Sequence, residues 1–362
     1  MKKLAAVAMV LALTVTSLAG CGAEPAAEST ATAGSSVTEA TAESQEDSSS
    51  SAAAESADAG SDEAAASDGT VYNIGICQLV QHDALDAATE GFQQALKDLL
   101  GEENVNFDLQ NASGDSPTCA TIINQFVSAD VDLILSNGTA ALQAAAAGTN
   151  EIPILGTSIT DYATALEIDD WTGTTGTNIS GTSDLAPLEE QAAMLNELFP
   201  DAETVGLLYC SAEANSAYQV NTIQGYLEEY GYTCTPYTFA DSNDLASVTT
   251  TASSECDVIY IPTDNTAASN TEIINNICLP AGVPVVAGEE GICSGCGVAT
   301  LSIDYYDIGY AAGEMAYEIL ANGADITTMA VEYAPEVTKK YNAANCEALG
   351  IEVPDDYVAI EG

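Results

Sequence analysis

Residues 72–92, YNIGICQLVQHDALDAATEGF, decide the fold class of this chain. The short apolar run from Tyr72 to Leu79 predicts a strand that is covered on both faces, as in a parallel sheet. A polar cluster around His82 follows, and apolar residues at spacings of three and four from Leu85 onward predict an amphipathic helix. Ligands of open α/β sheets bind beyond the carboxyl ends of the strands. The first polar cluster therefore lies where a ligand site is expected.

Strand and helix patterns alternate along the rest of the chain, which predicts βαβ units and parallel sheets. Residues 129–135 resemble residues 254–260, although any two βαβ units share such a pattern. We expect two Rossmann-like α/β lobes that are joined by several chain crossings, which form a hinge and a cleft. The predicted boundaries are 71–186 plus 300–328 for the first lobe and 187–299 plus 329–362 for the second.

The first residues, MKKLAAVAMVLALTVTSLAGC, predict a secretory signal peptide over residues 1–20. The end of this stretch resembles a bacterial lipobox, in which Cys21 is lipidated and becomes the mature N-terminus. The alternative is an ordinary cleaved signal peptide with a chance cysteine. Residues 21–69 are rich in Ala, Ser, Thr and Glu and contain no aromatic residue, which predicts a disordered tether. We expect an extracytoplasmic protein that a lipid holds at the cell membrane.

The charge of the chain restricts its partners. Five lysines and no arginine oppose 55 acidic residues, and cleavage of the signal peptide would leave three lysines and a formal net charge of −52. Nucleic acids and anionic lipid surfaces repel such a protein. Because no guanidinium group is available, an anionic ligand group would need backbone N–H groups and hydroxyls. Neutral, zwitterionic or cationic ligands are favoured.

Residues typical of catalysis and metal binding are scarce. His82 is the sole histidine, and neither a G-x-S-x-G nor an H-E-x-x-H motif occurs. The many acidic residues leave open a hydrolase that uses two carboxylates, but no particular pair of acids is marked by the sequence. Nine cysteines follow Cys21, and Cys293 and Cys296 form a suggestive pair that favours a local disulfide or free thiols over a metal site. We expect a binding protein with no cofactor and no metal.

Hydrogen-bonding residues gather at the ends of the predicted strands, among them Glu289 and Tyr305. Each of them alone is more often a cap or turn residue, but the set predicts a ligand site between the lobes. The predicted ligand contacts are Gln78, Gln81, His82, Asn137, Gly138, Thr139, Ser158, Thr160, Asp161, Asp184, Glu213, Asn215, Ser216, Thr263, Asp264, Asn265 and Asp304.

These motifs resemble the ABC transporter substrate-binding lipoprotein family that includes tryptophan- and tyrosine-binding members and has the type I periplasmic-binding-protein fold. The resemblance covers most of residues 71–340. The matching stretches are residues 74–88, 111–115, 153–161, 178–184, 209–216, 262–265 and 303–309. The chain departs from the family pattern at Asp83, where proline is usual, at Cys210, where asparagine is common, and in the turn at residues 137–141.

The resemblance implies capture of a small solute, with an aromatic amino acid favoured, and its delivery to a permease that an ATPase drives. It implies no enzymatic activity. Two alternatives stay open: a ligand-sensing or adhesion lipoprotein that uses the same fold, and a binder of a nucleoside or sugar.

Overall fold

Two β-sheets organise residues 69–360, which are the part of the chain that the structure, a computed structural model, describes. The strands are β1 (Tyr72–Gln78), β2 (Val105–Asn111), β3 (Leu133–Asn137), β4 (Ile154–Ile159), β5 (Ile179–Ser183), β6 (Thr204–Cys210), β7 (Thr233–Phe239), β8 (Val258–Ile261), β9 (Val285–Ala287), β10 (Ala299–Ser302), β11 (Glu332–Tyr333), β12 (Thr338–Tyr341) and β13 (Val358–Ala359). The α-helices are α1 (Asp83–Leu100), α2 (Ser116–Ala129), α3 (Thr139–Gly148), α4 (Tyr162–Ala165), α5 (Leu188–Leu198), α6 (Ala214–Glu229), α7 (Ser242–Glu255), α8 (Asn265–Ala268), α9 (Thr271–Ala281), α10 (Glu290–Cys296), α11 (Tyr305–Leu320) and α12 (Ala343–Leu349).

The two sheets repeat one topology. The first has the order β11-β5-β4-β3-β1-β2 and the second β13-β12-β10-β9-β8-β6-β7, so β1 to β5 and β6 to β10 follow the same order. All pairs are parallel except β10 with β12. We call each sheet and the helices packed on it a lobe. The predicted two-lobe α/β architecture with parallel sheets is confirmed.

Helices α1 and α11 pack closely on one face of the first sheet. Phe92 and Leu96 of α1 and Ala312 and Met315 of α11 share one buried cluster with side chains of the sheet. The helix backbones approach each other at Gly309, where a Cβ atom would overlap the backbone of α1. This contact fixes α11 to the first lobe although β10, the strand before it, lies in the second sheet.

Three segments connect the lobes: residues 184–187, 303–304 and 334–337. Apolar residues on and beside these segments form one cluster that includes Ala186 and Ile303. Several crossings between two lobes are where a hinge is expected.

Two of the predicted lobe boundaries need correction. Residues 300–302 belong to the second sheet because β10 pairs with β9 and β12. The predicted return to the second lobe at residue 329 is wrong for Glu332 and Tyr333, which pair with Thr182 and Ser183 as an edge strand of the first sheet. The chain returns only after this strand, at residues 334–337.

The predicted signal peptide, Cys21 and the tether to residue 68 lie outside the described residues. From residue 69 to residue 360, no helix has both the length and the apolar character needed to cross a bilayer.

Candidate functional site

A small cavity, here called the inner cavity, lies between the lobes beyond the carboxyl ends of strands from both sheets. Its volume is about 10 Å³, which is close to the space that one water molecule needs. The lining residues are His82, Leu85, Ser158, Thr160, Asp184, Asn215, Thr263, Asp264, Asn265, Ala268, Glu289 and Tyr305. Two-thirds of them are among the predicted ligand contacts.

Hydrogen bonds join the two lobes directly around the inner cavity. The Nε2 atom of His82 lies 3.2 Å from Oδ1 of Asn265, and the hydroxyls of Thr160 and Thr263 lie 3.4 Å apart. Gln219 on α6 donates to the Thr160 hydroxyl at 3.4 Å and to the Thr263 hydroxyl at 2.5 Å. The cleft is therefore in a closed arrangement.

Ser158 lies in an unusual backbone conformation. Its φ is +56°, in the left-handed region that non-glycine residues adopt at a cost of about 1 kcal/mol. The pairing of β4 with β5 shifts register between Gly156 and Ile159, so a bulge contains Ser158. The residue is 6% exposed, and the hydroxyl has no hydrogen-bond partner among the described residues. Bulges and strained residues concentrate at binding sites, where they redirect a side chain.

The hydrogen bonds of Asn265 set the tautomer of His82. The Asn265 amide nitrogen donates to Glu213 at 2.8 Å, so its amide oxygen faces His82 and the imidazole Nε2 must donate. Burial lowers the pKa of His82, although the bond to Asn265 and nearby carboxylates oppose this effect. The ring is therefore neutral near pH 7, and Nδ1 is an acceptor. This atom is buried, and no donor in residues 69–360 reaches it.

Asp184 follows β5 at the first crossing between the lobes. Its two carboxylate oxygens accept hydrogen bonds from the hydroxyls of Thr160 and Tyr305, each at 3.0 Å. The residue is 5% exposed. Burial raises the pKa of Asp184 to about 6, although the two hydroxyls stabilise the charged form. Each carboxylate oxygen can accept more than one hydrogen bond, so Asp184 retains capacity for a ligand.

Three other carboxylates near the cleft already stabilise helix N-termini. Glu213, Asp264 and Glu289 each accept two backbone N–H bonds. The donors are Asn265 and Thr266 for Glu213, Cys210 and Ala267 for Asp264, and Gly291 and Ile292 for Glu289. Burial and the charge of Glu213 raise the pKa of Asp264 to about 8, and burial raises the pKa of Glu289 to about 7. These carboxyl groups hold the starts of α8 and α10 in place and shape the walls of the site.

A larger pocket of about 370 Å³, here called the outer pocket, adjoins the inner cavity through Asn215 and Asn265, which line both. Its first-lobe wall includes Leu79, Val80 and Thr139, at the start of α3. Alanines and polar residues of the second lobe face them, and none of the described lining residues is aromatic. The volume is in the range of small-molecule sites.

Gln78 and Asn137 form a polar network beneath α1 and line neither pocket. The Thr89 hydroxyl donates to the Gln78 amide oxygen at 2.7 Å and accepts from the Asn137 amide at 2.9 Å. Asn137 also donates to the Leu85 carbonyl at 2.7 Å. Both residues therefore support α1, whose N-terminal end carries His82 and Leu85.

Five other predicted contacts also lie outside the two pockets. Ser216 donates to Asp264 at 2.7 Å and supports it. Gln81 is exposed, and Gly138 precedes α3 with a φ of +99°. Asp161 and Asp304 cap α4 and α11. The positions of these residues at strand ends were predicted, but the directions of their side chains were not.

Four residues of the inner cavity were not among the predicted contacts: Leu85, Ala268, Glu289 and Tyr305. Glu289 and Tyr305 follow strand ends in the sequence, so position alone could have included them. Leu85 and Ala268 carry no polar group, and helical periodicity assigns such residues to the core. Only the meeting of the two lobes brings them to the cavity.

All nine cysteines of the described region are free thiols, and only Cys234 is not fully buried. Cys293 and Cys296 lie on the short helix α10, where Cys296 donates to the Ile292 carbonyl at 3.3 Å. Burial raises the pKa of the Cys293 thiol, which makes it a poor nucleophile. No group of three or more His, Cys, Asp or Glu side chains within residues 69–360 is arranged to hold a metal ion.

Comparison with known proteins identifies the family. The family model for ABC transporter substrate binding proteins matches residues 73–360. A tyrosine-binding protein from Clostridioides difficile (strain R20291) is 34% identical over 282 residues, which cover 77% of this chain and 81% of the relative.

Two solved structures are similar in fold and sequence. An ABC domain from Streptococcus pneumonia in complex with L-Trp has a TM-score of 0.76 at 30% identity, with 79% of this chain and 97% of that one covered. A substrate-binding protein with adhesive properties from Clostridium difficile, in its ligand-free, open form, has a TM-score of 0.62 at 36% identity, with coverages of 80% and 100%.

The predicted type I periplasmic-binding-protein fold is thus confirmed. Proteins of this kind are extracytoplasmic, act with ABC transporters, bind small molecules and are not enzymes, as the sequence predicted. The chain belongs to the ABC transporter substrate-binding protein family.

Proposed function

We propose that this protein is the solute-binding lipoprotein of an ABC importer, which captures a small zwitterionic ligand between its lobes and delivers it to a permease. An aromatic amino acid is the favoured ligand. The proposed contacts are the predicted residues that line the two pockets: His82, Thr139, Ser158, Thr160, Asp184, Glu213, Asn215, Thr263, Asp264 and Asn265.

The observation that carries the proposal is the pair of unpartnered polar atoms inside a closed cleft. Ser158 Oγ and His82 Nδ1 are buried, lie at the inner cavity and lack partners in the described region. Buried polar groups are normally satisfied, and an exception calls for an explanation. A ligand that is held in the cleft and forms hydrogen bonds with these two first-lobe atoms explains both. The tyrosine-binding relative and the L-Trp complex support an amino acid as that ligand.

Calorimetry on the full chain with Cys21→Ser, which blocks acylation, tests the ligand class. Tryptophan, tyrosine, phenylalanine, leucine, a nucleoside and a sugar would be titrated in parallel. We expect saturable heat with at least one aromatic amino acid and weaker or no heat with leucine. Binding of only the nucleoside or the sugar would contradict the amino-acid ligand and favour the alternative solute class.

The lipid anchor needs a separate experiment. We expect the wild-type chain to incorporate labelled fatty acid and to fractionate with membranes, whereas the Cys21→Ser chain should not incorporate the label. Equal incorporation of label by the two chains would contradict lipidation at Cys21.

Adhesion is the second candidate function, because a structural relative at 36% identity has adhesive properties. Uptake of the labelled ligand and attachment to host-cell surfaces should be measured in the same deletion strain. Loss of uptake with normal attachment would favour transport, and the opposite result would favour adhesion.

A further inference from the structure

We propose that the inner cavity is the ammonium site of the ligand, in which Asp184, Ser158 and His82 each accept one hydrogen bond from an –NH₃⁺ group. This inference rests on the proposed function, because it assigns one end of the ligand to one part of the cleft. It also goes further, because it excludes the other acids of the cleft as ammonium partners.

The size of the inner cavity fits this group. A volume of about 10 Å³ accommodates about one water-sized group, and an ammonium group is of similar size. An aromatic ring is far larger and needs the outer pocket of about 370 Å³. The closed cleft therefore separates a small polar end of the ligand from its bulky end.

The inner cavity offers acceptors that match the three N–H donors of an ammonium group. His82 Nδ1 is an acceptor because Nε2 donates to Asn265. Ser158 Oγ is unpartnered, and its bulged backbone places it at the cavity wall. Asp184 accepts only hydroxyl hydrogen bonds from side chains, from Thr160 and Tyr305, and so retains lone pairs.

The remaining carboxylates around the cleft are less suited to bind the ligand ammonium. Glu213 and Glu289 each accept hydrogen bonds from two backbone N–H groups at a helix start, and Asp264 accepts one from the start of α8 and one from Cys210 at the end of β6. Removing them from these caps would leave buried donors unsatisfied, which is costly. Asp304, another predicted contact, is exposed and caps α11. Asp184 is thus the carboxylate that a ligand cation can engage without breaking a helix cap.

The positive charges of the described region lie elsewhere. Lys97 is placed over the ring of Phe107, Lys339 pairs with Glu197 and Asp356, and Lys340 pairs with Glu290. Asp184 at the inner cavity therefore lacks a cationic partner among residues 69–360. A ligand ammonium would supply this charge and stabilise the ionised carboxylate, whose pKa burial raises to about 6.

The test separates the two ends of one ligand. L-tyrosine, tyramine, which lacks the carboxylate, and 3-(4-hydroxyphenyl)propionate, which lacks the ammonium, would be titrated into the full chain with Cys21→Ser. Ethylammonium and propionate serve as minimal probes, with binding followed by NMR. We expect the deaminated acid to bind at least 30-fold more weakly than tyrosine, on the order of the loss of a charged hydrogen bond.

Variants then assign the acceptors. Ser158→Ala should weaken tyrosine binding about 3- to 10-fold, and Asp184→Asn about 30- to 100-fold, because the second removes the charge. Ser136→Ala is the matched control: it also removes a buried hydroxyl without a partner in the described region, but at a site that lines neither pocket. It should leave affinity within about twofold. His82 also forms a hydrogen bond with Asn265 of the other lobe. Its substitution would therefore affect both ligand binding and closure of the lobes.

The outcomes distinguish this inference from the proposed function. If tyrosine and its deaminated acid bind equally, or if Ser158→Ala and Asp184→Asn match the control, the ammonium site is overturned while amino-acid binding stands. If no amino acid binds but tyramine or ethylammonium does and Asp184→Asn abolishes this binding, the site stands and the amino-acid ligand fails. If no amine binds at all, both fail.

Discussion

Asp184 gives ligand binding a pH dependence with a defined direction. Its carboxylate must be ionised to hold an ammonium group, and its pKa in the free protein is raised to about 6. Affinity should therefore rise with pH from about 5 to 7, by up to tenfold per unit below the pKa. Calorimetry across this range checks the slope, and buffers of different ionisation enthalpy should show proton release on binding near pH 5.5.

Other titratable groups face the same cavity: His82, Asp264, Glu289 and Tyr305. Protonation of His82 at low pH would also weaken ligand binding, because it removes a hydrogen-bond acceptor and adds a positive charge beside the ligand ammonium. The pKa values of Asp264 and Glu289 are raised to about 8 and about 7. Their ionisation should therefore produce a further, weaker rise in affinity at higher pH. Asp184→Asn should flatten the rise of affinity between pH 5 and 7. An unchanged rise would show that another group causes the pH dependence.

Asp184 should lower the stability of the free protein although it favours ligand binding. A carboxyl group whose folded pKa is about 6 against 3.8 for an unperturbed Asp is protonated more readily in the folded state. Its destabilising effect therefore appears as pH rises between these values and is complete above about 6. Asp184→Asn should raise the free energy of unfolding at pH 8 by about 1–2 kcal/mol and have little effect near pH 4. Denaturant titrations at both pH values measure this difference, and a destabilised variant at pH 8 would contradict it.

At the scale of elements, the contact between α1 and α11 depends on the absence of side chains. A Cβ atom at Gly309 would overlap the Ala88 backbone. Gly309→Ala should therefore lower the free energy of unfolding by about 1–3 kcal/mol, as overpacking does, despite the better helix propensity of alanine. Gly225→Ala on α6 is the control, since a Cβ there meets nothing within 4 Å. It should stabilise the protein by about 0.5–1 kcal/mol, and thermal unfolding of both variants tests the pair.

The sequence predicted elements better than it predicted the directions of polar side chains. Alternating patterns were sufficient for the two lobes because hydrophobic periodicity reports burial directly. Ser158 and Asp184 were found because they lie at or just after the carboxyl ends of strands. Gln78 and Asn137 also lie at the ends of strands, but both form hydrogen bonds with Thr89 beneath α1 and do not reach either pocket. The direction of a polar side chain depends on partners distant in sequence, and one chain's pattern does not record them.

Short pairings were also beyond prediction. The two-residue strand β11 joins the first sheet at its edge, and no periodicity marks so short a segment. The bulge at Ser158 likewise lies in the pairing of β4 with β5, beside the close approach of Gly181 to Gly156, where a Cβ atom on Gly181 would overlap backbone. Such features arise from contacts between strands and become visible only when the sheet is assembled.

For the whole molecule, the hydrogen bonds between the lobes imply a closing motion linked to binding. The bonds of His82 to Asn265 and of Thr160 to Thr263 can form only when the lobes meet. A ligand that bridges the lobes favours this state. We expect small-angle scattering of the full chain with Cys21→Ser to show a smaller radius of gyration with saturating ligand. A non-binding solute is the control, and identical profiles with and without ligand would contradict ligand-driven closure.

The placement of the three described lysines has a consequence for proteolysis. Trypsin cleaves after lysine or arginine, and this chain has no arginine and no lysine between Lys97 and Lys339. Lys97 lies in the last turn of α1. Lys339 and Lys340 lie on β12, which is paired on both sides by β10 and β13. Cleavage there requires local unfolding, so the folded protein should resist trypsin-like proteases outside the cell, and the unfolded chain should yield one long peptide from residue 98 to residue 339.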